Sequence, residues 1–119
     1  MGFWKAGAVA IEELGSEFME ILAEEETGLQ AYKFSRDYFV FTDKRLILVD
    51  RQGMTGRKVE YHSIPYRAIT HYSVESAGSL DRDADLKVWV AGDHKPIERD
   101  LSRDVDTKAL LRMLAQYVA

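Results

Sequence analysis

The densest apolar patterning in the chain lies between residues 38 and 49. Tyr38–Thr42 and Leu46–Val49 are two β-branched and aromatic runs with only Asp43, Lys44 and Arg45 between them. That spacing predicts a tight hairpin. A second turn is expected at Gln52–Gly56, where two glycines supply positive φ. The chain then returns as Lys58–Ser63 and breaks at Pro65. Within the hairpin both parities are apolar: Phe39 and Phe41 oppose Tyr38 and Val40, and Ile47 and Val49 oppose Leu46 and Leu48. A sheet wetted on one side would alternate with polar residues instead. Both faces of this hairpin must therefore be covered.

The flanks offer two kinds of cover. Ile11, Leu14, Phe18, Ile21 and Leu22 recur at helical spacing, with most of the nearby glutamates off the stripe. This predicts an amphipathic helix over roughly 9–25, ended by Thr27-Gly28 and formed despite Gly15, which costs it up to ~1 kcal/mol. A first strand is expected over Leu29–Ser35. Beyond the corner at Pro65, period-2 patterns mark strands at Ala68–Ser76, around Leu86–Val90 and at Pro96–Leu101. A last helix follows, capped by Ser102, Asp104 or Asp106, with Val105, Leu110, Leu111, Leu114, Tyr117 and Val118 on its apolar face. The expected order is seven antiparallel strands and then one amphipathic helix.

Length and composition fit one ordinary globular domain: 119 residues, 46% hydrophobic and 30% charged. No apolar run approaches the ~20 residues of a spanning helix, and no signal peptide is read at the N-terminus. The expected location is cytoplasmic. There is no cysteine, which excludes disulfides, thiol catalysis and zinc–thiolate sites. Net charge is −4, against nonspecific nucleic-acid binding. Its distribution separates an acidic N-terminal arm, residues 1–26, from a domain over 27–119. The arm holds seven glutamates against Lys5, whereas 33–67 holds eight basic residues against four acidic ones.

Each constellation that suggests chemistry is incomplete. Asp81, Asp83 and Asp85 copy the opening of a calcium loop, but Leu86 and Gly92 stand where glycine and the bidentate glutamate are required. Gly53-Met54-Thr55-Gly56-Arg57-Lys58 lacks the P-loop gap and its terminal Lys-Ser/Thr, and its strand flanks do not suit a single-strand RNA clamp. It reads as a hairpin turn. His62, His71 and His94 lie on separate segments and do not make a metal site. No nucleophile elbow, dinucleotide turn or carboxylate pair is present. No enzyme activity, cofactor or metal is expected. The anion contact the sequence suggests is basic: Lys44, Arg45, Arg57 and Lys58.

The run R-D-Y-F-V-F-T-D-K-R-L-I-L-V-D-R-Q-G-M-T-G-R-K-V-E-Y-H-S-I-P-Y, residues 36–66, resembles the core signature of the bacterial pleckstrin-homology domain family. The likeness continues more loosely from about Leu29 to Val118. It implies a mainly β fold with α-helix: a bent, partly open seven-stranded antiparallel barrel capped by the C-terminal helix, here with the N-terminal amphipathic helix added. It also implies ring-like homo-oligomers, of five subunits, and a non-catalytic scaffold. Heterologous contacts close such a ring when the rotation fits.

The expected interface is Tyr38, Val40, Leu46 and Leu48 with Phe18 and Ile21, and Phe3 and Trp4 could extend it. The alternative is a monomeric module that binds a peptide or an anionic membrane surface. Steep salt sensitivity is its mark. Inositol phosphate binding is not adopted, because the first turn, Ser35-Arg36-Asp37, is short and sets its one arginine beside an acid.

Overall fold

A computed structural model describes residues 6–76 and 84–118. The expected mainly β chain with a C-terminal helix is observed. Eight strands are found among these residues: β1 (Gly7–Val9), β2 (Gly28–Phe34), β3 (Asp37–Thr42), β4 (Arg45–Gln52), β5 (Lys58–Pro65), β6 (Ile69–Glu75), β7 (Ala84–Val90) and β8 (Ile97–Leu101). The helices are α1 (Gly15–Met19) and α2 (Thr107–Tyr117), with 3-10 turns at Ile11–Leu14 and Tyr66–Ala68. Hydrogen bonding sorts the strands into two sheets, in the orders β1-β2-β3-β4-β5 and β6-β7-β8. This corrects the expected seven-stranded barrel. The chain divides into two compact units, Ala8–Ile64 and Met1–Gly7 with Pro65–Ala119.

The first unit is built on the β3–β4 hairpin. Its loop is Asp43-Lys44, held by Thr42, whose Oγ1 accepts from the backbone N–H groups of Lys44 and Arg45 at 3.0 Å each. The register sets Tyr38 opposite Val49 and Val40 opposite Ile47; Phe39 pairs with Leu48 and Phe41 with Leu46. One face thus carries Tyr38, Val40, Ile47 and Val49. On it pack Leu14 and Phe18 together with Val9, Ile11, Ile21, Leu22 and Val59. Phe18 is wholly buried, edge-on to Tyr38 at 6.2 Å. The other face carries an aromatic group in which Tyr32 stacks on Phe39 at 5.1 Å and both meet Phe41 edge-on.

The cover over the first face is not the continuous helix expected over 9–25. It is a strand, a 3-10 turn and a five-residue helix in succession. Gly15 explains the break: its φ of 80° lies in the left-handed region, outside the geometry that would join the 3-10 turn to α1. Gly28 explains the closeness, since a Cβ there would meet Ile11 Cδ1 at 3.0 Å. Of the arm read over residues 1–26, residues 8–26 lie in the same unit as the hairpin.

The second unit holds β6-β7-β8 and α2. Leu86 and Val88 are buried, while Asp85, Lys87 and Trp89 between them are half-buried on the opposite side of β7. Ala6 bridges Leu101 in parallel. Asp106 is the cap of α2, its Oδ1 accepting from Ala109 N–H at 3.0 Å. The helix starts at Thr107, and its first turn carries no acidic residue. Leu110, Met113 and Leu114 are buried, and Tyr117 stacks on Tyr66 at 5.5 Å.

Candidate functional site

The six residues expected to form an interface do not share a surface. Tyr38, Val40, Phe18 and Ile21 gather on the face covered by the N-terminal segment. Leu46 and Leu48 point to the opposite face, because even-numbered residues of β3 lie across from odd-numbered residues of β4. Within the single chain, all but Ile21 are buried. The physical motive for a partner at this face is correspondingly weaker, since the chain covers the face itself. Phe3, Trp4, Asp81 and Asp83 lie outside the described residues.

The expected anion set also separates. Lys44, Arg57 and Lys58 are exposed. Arg45 is instead committed within the chain. Its Nε and Nη2 donate to the two carboxylate oxygens of Glu26 at 2.9 and 3.0 Å. Nη2 also donates to the Ile21 carbonyl and Nη1 to Ser63 Oγ. Thr42 Oγ1 donates to Glu26 Oε2 at 2.6 Å, and Ala23 N–H to Oε1 at 2.8 Å.

The Glu26 side chain has no solvent exposure. Burial alone would push its pKa up. The Arg45, Thr42 and Ala23 hydrogen bonds overcome that and hold it down at about 2. This clasp ties the end of the N-terminal segment to the β3–β4 loop. A second tie joins Glu17 to Arg51, with Tyr38 Oη also donating to Glu17. Burial first, and then the Glu17 charge, raise the Tyr38 pKa to about 12.

No local signal in the sequence points to the clasp. Glu26 and Arg45 are 19 positions apart, and each sits in a stretch that reads as solvated charge.

Two features of the first unit lie open among the described residues. The first is β5, the last strand in its sheet order, so that no named strand pairs with its outer edge. Six of its eight residues are exposed: Lys58, Glu60, Tyr61, His62, Ser63 and Pro65. The second is the turn that feeds it. Gly53 and Gly56, with φ of 77° and 68°, fold the chain sharply, and Arg51 Nη1 donates to the Gly56 carbonyl at 3.4 Å. At the tip, Met54 is completely exposed.

Among the described residues, no three His, Asp or Glu side chains group as metal ligands, and no helix is long and apolar enough to cross a membrane.

Comparison with known proteins agrees with this geometry. The family model described as bacterial PH domain matches residues 2–118. The chain is 42% identical over 111 residues to the protein YjqA of Bacillus subtilis (strain 168), covering 92% of this chain and 89% of that one. Among solved structures it resembles a DUF1696 family protein with a pleckstrin-homology domain from Shewanella loihica PV-4. There the identity is 44%, the TM-score 0.86, and the coverage 98% of this chain and 99% of that one. A pleckstrin-homology domain from Shewanella amazonensis SB2B matches with a TM-score of 0.72 and 49% identity over 93% of this chain and 90% of that one.

Proposed function

Because the chain belongs to the bacterial pleckstrin-homology domain family, we propose that it works without catalysis, as a protein-binding module that assembles with copies of itself along the outer edge of β5. The single observation that carries this is the edge itself. An eight-residue strand with six exposed residues ends the five-stranded sheet, and no named strand pairs beyond it. Unpaired N–H and C=O groups on such an edge favour an added strand. Head-to-tail addition of this kind generates rings or filaments according to the rotation between copies.

A peptide from another protein would engage the same edge by the same backbone hydrogen bonds. The difference is one of mass. Light scattering on a sizing column, at low and high salt, is expected to give a particle several times the mass of one chain. A single-chain mass at every concentration up to the solubility limit would overturn self-assembly. Co-sedimentation with phosphatidylserine vesicles of the single-chain species would move the assignment to a membrane surface instead.

A further inference from the structure

The outer face of the three-stranded sheet is organised in three rows. In the first, Glu75 lies opposite Asp85 and Asp85 opposite Asp100, so three carboxylates stand side by side across β6, β7 and β8. In the second, Ser73, Lys87 and Glu98 stand in line. In the third, His71 lies opposite Trp89, their rings stacked at 4.3 Å and 16°. Among the described residues this face thus carries four carboxylates, one lysine and one histidine, with the half-buried Trp89 two rows from the acid row.

Like charges directly opposite on neighbouring strands are destabilising. The pKa of Asp85 registers this. Burial raises it, and so do the hydrogen bond and the charge of Asp100 beside it. A cationic partner would relieve that repulsion, and an aromatic centre with a charged rim is the usual make-up of a protein–protein anchor.

The complementary shape is on the same chain. The turn between β4 and β5 presents the fully exposed Met54 at its tip, followed by exposed Arg57 and Lys58. The guanidinium of Arg36 lies alongside, close enough that a Cβ on Gly56 would meet its Nη1 at 3.1 Å. An exposed thioether with Arg57 and Lys58 three and four positions along the turn is complementary to an indole with a row of carboxylates two rows along the sheet. Sulfur–aromatic contact and opposite charge act together.

We propose that the outer face of β6-β7-β8 is the docking surface for the Met54–Lys58 turn of a second copy of this chain. The inference rests on the self-assembly reading and adds to the pairing along β5 a side-chain contact between two non-identical patches, as a head-to-tail arrangement requires.

The test is a charge swap read by light scattering. Glu75→Arg with Asp100→Arg reverses the face at two exposed positions; Arg57→Glu with Lys58→Glu reverses the turn. Each variant alone is expected to run at single-chain mass. The face variant should also unfold in one cooperative transition, so that dissociation cannot be blamed on unfolding. Mixed in equal amounts, the two variants restore both complementary contacts and should recover a mass of two chains or more.

Variants that assemble like the parent would overturn the docking surface while leaving self-assembly intact. Variants that dissociate but do not recover on mixing would overturn the pairing of these two patches. A parent that is itself single-chain would remove self-assembly and this contact together. If that parent then bound a lysine- and arginine-rich peptide with a change in tryptophan fluorescence, lost in Trp89→Phe, the face would belong to a different basic partner.

Discussion

Glu26 and Asp85 are both carboxylates drawn out of water by the strands around them, yet their pKa values move in opposite directions. Glu26 meets a bidentate arginine, a hydroxyl and a backbone N–H, and its pKa sits at about 2. Asp85 lies between two further acids, and burial first, then the hydrogen bond and charge of Asp100, raise its pKa. The first cluster closes within one chain and fastens the N-terminal segment over an apolar face. The second leaves like charges in a row on an open face. The one charge is satisfied by donors within its own chain, and the other is crowded by its neighbours.

The largest expected effect comes from breaking the closed cluster. Arg45→Met removes the guanidinium and leaves the Glu26 carboxylate buried without its main partner. Loss of one member of a buried pair costs about 3–5 kcal/mol, and urea unfolding should register a fall of that order.

Acid should act on the same pair more gently. The folded-state pKa of Glu26 lies below its ordinary value of 4.5, so its stabilisation is complete above pH 4.5 and is lost as pH falls towards about 2. The shift corresponds to about 3 kcal/mol. Thermal melts over that interval should show the decline in the parent, and Glu26→Gln should flatten this part of it.

The smallest effect has the opposite sign. A raised acid pKa destabilises the fold above that pKa, so Asp85→Asn should stabilise the chain at pH 7 by roughly 0.5 kcal/mol. A loss of stability there would mean that Asp85 is held by a favourable contact rather than crowded by its neighbours.

What the sequence made legible follows from the range of each interaction. The β3–β4 hairpin was readable because its period-2 pattern and short loop are local, and both faces are indeed covered. The family signature lies in that same stretch. The C-terminal helix was equally plain, down to Asp106 among its candidate caps.

The N-terminal segment was not readable in detail. A helical stripe of apolar residues looks the same whether the turns are joined or, as here, broken by a left-handed Gly15. β1 escaped notice because Gly7–Val9 is too short to pattern and becomes a strand only by pairing with β2. The proposed interface set split because Tyr38 and Leu46 look alike in sequence, and only the hairpin register sends them to opposite faces. The acid row across β6, β7 and β8 depends on two registers at once.

Amide hydrogen exchange of β5 across a dilution series bears most directly on assembly at the sheet edge. The outward-facing, alternate amides of Lys58–Ile64 should be protected at high protein concentration and lose protection on dilution, while those in the interior β3 and β4 do not change. Exchange in β5 that is independent of concentration, over a range in which light scattering shows the particle dissociating, would contradict assembly at this edge.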